Sequence, residues 1–272
     1  MYRTKHLRPR REGDPTVTDR QERVKNHNQH ALTKATGLLI GCGGLGSEYG
    51  EALIRKGIGR LILFDSDVVE LSNLNRQKFY QADLYKPKAE RLAFNLAKEG
   101  FCGSVIEGYS LCFEDALTQG IPLTADIAIV GVDNNVCRVA AARYFRESNT
   151  PVIFTAVSKD ASHGFAFVQE AAPDKACYGC LFTDALADET YHPCSPAVTD
   201  ILKVMGGIVS YCVDSLLMQK LRTWNYKSVY LSTGDDMSWR VDRRKDCKLC
   251  STPQDHSPDT IRHPASQTEG TV

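Results

Sequence analysis

The run Gly41-Cys42-Gly43-Gly44-Leu45-Gly46 lies between an apolar stretch, Thr36-Gly37-Leu38-Leu39-Ile40, and a segment of helical character from Ser47 to Lys56. A strand, a glycine loop of the form G-x-G-x-x-G and a helix in that order leave few choices of fold. The glycines let the backbone approach a phosphate, which then sits at the positive N-terminus of the helix. Gly57 and Gly59 stop that helix, and Arg60-Leu61-Ile62-Leu63-Phe64-Asp65 reads as the next strand. Asp65 ends it about 20 residues after the loop, where an acid holds ribose hydroxyls. This much specifies a nucleotide and leaves NAD, FAD and ATP open.

The alternation continues downstream. Pro87 stands where a helix begins, Lys88 to Glu99 has helical character, and Gly100 follows its end. Ser104 to Tyr109 reads as a strand. Asp126 to Gly131 is a continuous apolar strand, as expected when both faces are covered. A helix over Asn135 to Glu147 and a strand over Pro151 to Val157 follow. Strands alternating with helices predict an α/β fold, a Rossmann-like and mainly parallel sheet with helices on both faces. From about Gly164 the pattern changes to an antiparallel part. Phe165 to Val168 pairs with a neighbour, Asp200 to Trp224 is a long apolar helix, and Val229-Tyr230-Leu231 with Trp239-Arg240-Val241 forms a hairpin.

Composition removes several classes of function. Lys+Arg and Asp+Glu are both 33, so no bulk charge calls for nucleic acid or a membrane surface. No apolar run reaches the ~18 residues of a membrane span. The basic start (Arg3, Lys5, Arg8, Arg10, Arg11) lacks the apolar stretch of a signal peptide and reads as a disordered tail over residues 1–18. The 10 cysteines, without a secretion signal, fit a reducing cytoplasm, where they are metal ligands, nucleophiles or small core residues. Residues 251–272, rich in Ser, Thr, Pro and Asp, read as disordered.

The segment after Asp65 separates ATP from NAD. Asp67, Asn73, Arg76, Gln77 and Lys88 cluster two cations and two amides on this edge, which a dinucleotide dehydrogenase does not need and a triphosphate does. Arg76 bridges phosphate oxygens bidentately, and Lys88 acts as a compact positive charge. Asp133, just beyond the strand ending at Gly131, is placed to hold Mg2+ beside those phosphates.

Two Cys-x-x-Cys pairs, Cys177/Cys180 and Cys247/Cys250, offer two thiolates each on a tight knuckle. Two knuckles complete a closed tetrahedral site for structural Zn2+. A redox thiol pair is the alternative. Cys194, in Tyr191-His192-Pro193-Cys194-Ser195-Pro196, occupies an irregular loop before the long helix. A loop cysteine near a helix N-terminus has a lowered pKa and acts as a nucleophile; an inert loop cysteine is the alternative. His192 is an assisting base or an exposed histidine. Cys42, Cys102, Cys112, Cys137 and Cys212 are read as packing or neutral positions. Phe165, Phe167, Tyr230 and Trp239 are read as sheet packing, with a groove for an extended peptide tail as the alternative.

The segment from about Arg20 to Cys250 resembles the activating-enzyme family of ThiF, MoeB and HesA and the adenylation domains of ubiquitin-activating enzymes. The resemblance is carried by Gly41 to Gly46, Asp65-x-Asp67, Ser72-Asn73-Leu74-x-Arg76-Gln77, Lys86-Pro87-Lys88-Ala89, Asp133-Asn134 and the paired Cys-x-x-Cys. It implies a ThiF-type domain over 19–250, with a nucleotide-binding half at about 35–160 and a crossover loop and zinc-bound half at about 164–250. It implies that Gly41, Gly43, Gly44, Gly46, Asp65 and Asp67 cradle ATP, that Asn73, Arg76, Gln77 and Lys88 bind its phosphates, and that Asp133 is the magnesium and catalytic aspartate. A homodimer is implied, with an arginine reaching into the partner's site. Asp19-Arg20-Gln21 resembles that element, and Arg23 is its rival. The expected activity is adenylation of the C-terminal glycine carboxylate of a ubiquitin-like protein, then a thioester on Cys194 and transfer to a conjugating enzyme. Thiolation of a sulfur-carrier protein, or adenylation of a peptide or a tRNA nucleoside, are the alternatives. A non-catalytic adaptor is disfavoured by the presence of Arg76, Lys88 and Asp133, and an NAD-dependent oxidoreductase by Asp67 and the Arg76-Gln77 pair.

Overall fold

A computed structural model describes residues 1–121, 123–184 and 197–251. The expected tail over 251–272 lies outside the described residues except for Ser251, and so do His192 and Cys194.

Among the described residues nine strands form one sheet: β1 (Tyr2–Arg3), β2 (Thr36–Ile40), β3 (Arg60–Phe64), β4 (Val105–Tyr109), β5 (Ile127–Val130), β6 (Val152–Val157), β7 (His163–Gln169), β8 (Tyr226–Tyr230) and β9 (Asp236–Trp239). Their spatial order is β1-β4-β3-β2-β5-β6-β7-β8-β9. The run β4-β3-β2-β5-β6 is parallel, and β6 to β9 pair antiparallel. The helices are α1 (Asp19–Glu22), α2 (Gln29–Lys34), α3 (Gly44–Lys56), α4 (Lys88–Glu99), α5 (Phe113–Thr118), α6 (Asn135–Glu147), α7 (Tyr178–Leu181) and α8 (Thr199–Leu217).

Period-2 geometry explains why β2 carries no polar alternation. Leu39 points into a core shared with Tyr49 and Leu53 of α3, Leu92 and Leu96 of α4, and Met205 and Val209 of α8. Its neighbours Leu38 and Ile40 point the other way, into a core with Phe113 of α5, Phe145 of α6, and Phe154 and Phe167. Both faces are covered, so every β2 residue after Thr36 is buried. The helices α3 and α8 pack closely because a Cβ on Gly206 would lie 2.8 Å from the Cβ of Glu48. The half-buried Lys56–Asp214 pair, at 2.6 Å, ties the same two helices near their C-terminal ends.

Three expectations need correction. Residues 1–18 are not wholly a free tail. Tyr2 and Arg3 pair with Ile106 and Val105, Tyr2 packs edge-on against Phe94 at 5.6 Å, and Thr4 is buried. A two-residue edge strand carries no periodicity to read. The long helix ends at Leu217 rather than Trp224, because Gln219 takes a left-handed φ of 52° and the chain turns back. Arg222 then bonds Ser215 and pairs with Glu170. The hairpin lies about three residues earlier than its apolar runs suggested. Its register is set by aromatic pairing, Tyr226 on Trp239 with ring centroids 4.0 Å apart.

Candidate functional site

The parallel strands change direction of winding between β2 and β5, whose onward chains run to opposite sides of the sheet. Ligands bind outside the carboxyl ends of strands at such a switch point. A cavity of about 550 Å³ opens there. That size suits a nucleotide and the end of a second substrate.

The floor is the glycine loop. Gly41 takes φ +98°, in the left-handed region open to glycine, and its N–H donates to Phe64 at 2.9 Å. A Cβ on Gly46 would lie 2.2 Å from the Gly41 carbonyl oxygen, so Gly46 allows α3 to start directly against the loop. Gly41, Gly43 and Gly44 line the cavity; among the residues lining it Gly46 does not appear, and its part is this close packing. The Cys42 N–H donates to Asp65 Oδ2 at 2.7 Å, and the Asp67 N–H donates to Asp65 Oδ1 at 2.8 Å. Burial raises the Asp65 pKa above its ordinary 3.8, against the opposing pull of these donors and of Lys88. Cys42 is fully buried and burial drives its thiol pKa up, which fits a packing residue.

Asp67, Arg76, Gln77, Lys88 and Asp133 also line the cavity. Lys88 is buried at the N-terminus of α4, and its Nζ lies 2.8 Å from Asp67. Arg76 Nη1 donates to the Ser72 carbonyl at 2.6 Å. Asn73, expected on the phosphates, serves its own turn in this structure. It is buried, off the cavity wall, and its Oδ1 accepts the Glu70 N–H at 2.9 Å to cap the turn that presents Arg76 and Gln77. Asp133 precedes Asn134, whose Oδ1 caps α6 by accepting the Cys137 N–H at 2.7 Å. Arg20 is 86% exposed beside Asp19, and neither it nor Arg23 lines the cavity of its own chain.

Several cavity residues escaped the sequence reading: Arg138, Tyr178, Phe182 and the Thr155–Lys159 segment among them. A signal for Arg138 was available. It shares a buried helical stripe with Ala141, Ala142 and Phe145, and a charge on such a stripe calls for a partner. Phe165 lines the cavity and stacks on Tyr226, whereas Phe167 is wholly buried in the core. Tyr230 stacks on His163, and Trp239 is half exposed on β9. Cys112 caps α5 on the cavity wall, and Cys137, also on that wall, is buried in the core as expected. Cys212 is buried in the core between α8 and the sheet, and Cys102 is half-buried at the bridge to His6.

The four knuckle cysteines come together. Cys177, Cys180, Cys247 and Cys250 are buried, and their sulfurs lie within 4.8 Å of one another. Sulfur separations of 3.7, 3.6 and 3.5 Å suit a tetrahedral zinc, for which Zn–S bonds of about 2.3 Å set S···S near 3.8 Å. Hydrogen bonds with Cys177 and Cys250 hold the Cys180 pKa down, toward the thiolate a metal requires. Tyr178, inside the first knuckle, reaches the cavity. Its hydroxyl lies 3.0 Å from Asn135 Oδ1, and its ring packs on Phe154 and Phe182.

Fold and site together define a doubly wound α/β protein with a glycine loop, fixed cations and four carboxylates (Asp65, Asp67, Glu114 and Asp133) around one cavity. The ThiF family model matches residues 18–253, and the chain belongs to that family. It is 30% identical over 216 residues to the SAMP-activating enzyme E1 of Haloferax volcanii, covering 76% of this chain and 77% of that one. It is 34% identical to ubiquitin-like modifier-activating enzyme 5 of Drosophila erecta over 66% of this chain and 48% of the relative. It is 27% identical to the adenylyltransferase and sulfurtransferase MOCS3 of Xenopus laevis over 84% of this chain and 51% of the relative. The chain thus spans about half the length of these last two. Among solved structures, Escherichia coli MccB with ATP superposes with a TM-score of 0.70 at 22% identity, covering 82% of this chain and 68% of MccB, a likeness of fold. Among the described residues no helix is long and apolar enough to cross a membrane.

Proposed function

We propose that this chain is an ATP-dependent adenylating enzyme of the ubiquitin-like activating type, acting on the C-terminal carboxylate of a ubiquitin-like protein. One observation carries the reading: the cavity at the switch point gathers the glycine loop, Asp65, Arg76, Gln77, Lys88 and Asp133 around one volume. Asp65 takes the ribose hydroxyls, and Arg76, Gln77 and Lys88 take the phosphates. A carboxylate oxygen attacks the α-phosphorus, a new P–O bond forms, and pyrophosphate leaves with the bonding electrons. Charge grows on the phosphoryl oxygens in that step, so fixed cations lower its barrier. Mg2+, held by Asp133, would add to that neutralisation. The remaining task is to hold two substrates in line.

On this reading the Cys194 thiolate then attacks the acyl carbon, the C–O bond to the adenylate breaks, AMP leaves, and the thioester is passed to a conjugating enzyme. Zn2+ on the four knuckle cysteines is structural. A homodimer supplies Arg20, with Arg23 as rival, to the partner's site, and the cytoplasm keeps the thiols reduced. Nothing in the chain's charge balance calls for nucleic acid. The second reading, adenylation of a sulfur-carrier protein for thiolation, is favoured by the likeness to MOCS3, whose name joins both activities.

ATP–pyrophosphate exchange tests the first step. Exchange should appear when a small protein ending in a glycine carboxylate is added. Asp133→Ala should abolish it, and full activity in that variant would remove Asp133 from the mechanism. Cys194→Ala should keep exchange and lose the reducible adduct seen by mass; an adduct that survives belongs to another cysteine.

A further inference from the structure

Arg138 is a buried cation that the mechanism above leaves unused. It is 5% exposed, and among the described residues it forms no ion pair. Its Nε donates to the Val132 carbonyl at 3.1 Å, and its Nη2 donates to the carbonyls of Val132 at 2.5 Å and Thr155 at 3.0 Å. A guanidinium has five N–H donors in a planar fork. Three contacts on Nε and Nη2 fix the plane and leave the pair on Nη1. Nη1 is buried and has no hydrogen-bond partner. The Tyr178 ring lies 5.9 Å from the guanidinium carbon. Arg138 lines the cavity beside Val132 and Asp133. A desolvated cation with an orphaned donor, locked in orientation, is a prepared anion site.

Two anions enter this cavity on the proposed reading, the nucleotide phosphates and the acyl carboxylate. The phosphate-directed groups come from the β2–α3 loop and from the segment leading into α4. Arg138 comes from α6 and is clamped across the ends of β5 and β6, on the side of the cavity walled by Thr155 to Lys159, Phe165 and Phe182. We infer that Arg138 Nη1 binds the reacting carboxylate of the acyl substrate. It holds the oxygen that does not attack. That oxygen becomes the acyl carbonyl of the mixed anhydride when the other forms its bond to phosphorus and pyrophosphate leaves. Arg138 neither gives nor takes a proton. It keeps its bond to the same oxygen once that oxygen is the acyl carbonyl, so it acts on the affinity and orientation of substrate and acyl-adenylate alike. The inference rests on the adenylation reading.

The test uses the full-length protein and three probes: ATP, AMP, and 5′-O-(N-glycylglycylsulfamoyl)adenosine, an acyl-adenylate analogue. Wild type should bind the analogue more tightly than AMP. In Arg138→Gln that advantage should shrink by about tenfold or more, the worth of one charge-assisted bond, while ATP affinity changes less than about threefold. Equal losses for ATP and analogue would give Nη1 to the α-phosphate or to the fold and overturn the assignment. An unchanged advantage would overturn it too. If wild type binds ATP yet gains nothing from the acyl group, the adenylation reading falls with it. Should Arg138→Gln fail to fold, nitrogen-15 arginine spectra of wild type decide, with Arg138→Lys for signal assignment. The Arg138 Nη signal should shift on adding analogue and stay on adding AMP; the same shift with both refutes the inference.

Discussion

Asp83 should be the most damaging single charge to remove outside the cavity. It is 1% exposed and sits on the segment between Arg76 and Lys88. Its Oδ2 accepts from the Tyr80 N–H at 2.9 Å and from Asn95 Nδ2 at 2.8 Å, and its Oδ1 accepts from Arg91 Nε at 2.7 Å and Nη2 at 2.6 Å. Asn95 and Arg91 belong to α4, so one carboxylate pins the segment bearing Arg76 and Gln77 to the helix bearing Lys88. In Asp83→Ala, Arg91 loses its counter-charge, and its side chain is only 20% exposed. Breaking one side of a buried pair costs about 3–5 kcal/mol. For a chain of this size roughly 2–4 °C of Tm is lost per kcal/mol, so circular dichroism should record a fall of roughly 6–20 °C. Burial alone would raise the Asp83 pKa, but the bonds from Asn95, Tyr80 and Arg91 outweigh it and hold the value below 3.8. The stabilisation is therefore complete above 3.8 and is lost as pH falls through the lower folded value. Wild type should lose more Tm there than the variant, which keeps other carboxylates of lowered pKa such as Glu51. ATP affinity should weaken in the variant as the segment loosens. A Tm drop under about 2 °C at neutral pH, with ATP binding intact, would refute the clamp.

Gly46→Ala places a methyl 2.2 Å from a main-chain oxygen that cannot swing away, so it should cost about 1–3 kcal/mol and weaken ATP binding measured by calorimetry; unchanged affinity contradicts the close approach. Elemental analysis should find about one zinc per chain, and Cys247→Ser should lose it together with Tm; a metal-free wild type of full stability would remove the zinc. On the proposed reading ribose hydroxyls donate to ionised Asp65, whose pKa burial raises above 3.8, so nucleotide affinity should be present above that raised value and fall as pH drops through it. The apo fold carries the opposite sign at this residue, since a raised carboxyl contributes stability only below its folded pKa. Asp65→Asn should flatten the affinity profile between about pH 4 and 7, and superimposable profiles would discard the ribose contact.

The elements with strong boundary chemistry were legible in the sequence. Pro87 and Gly100 bracket α4, Asn134 caps α6, and both helices run over the residues expected. The cavity was half legible. Glycines and charges at fixed offsets from a strand end announce themselves, because few structures need them there. The turn-capping bond of Asn73 was not legible, because an amide serves a turn as readily as a phosphate. The α6 stripe flags Arg138 as a charge that needs a partner, but that its partners are the Val132 and Thr155 carbonyls emerges only from the assembled sheet. The β1 pairing depends on a partner distant in the chain, and the hairpin register on which aromatics meet across the turn; local periodicity encodes neither.

The knuckle cysteines impose an order on synthesis. Cys177 and Cys247 are 70 residues apart. A ribosome adding about 5–20 residues per second needs roughly 4–14 s to cover that distance. Strands β2 to β6 precede Cys177, so the nucleotide half emerges before the second thiol pair exists. For those seconds Cys177 and Cys180 form only half of a coordination shell, and a four-thiolate site waits on residue 250. The direction of translation thus makes the four-thiolate closure a late event in the life of each chain.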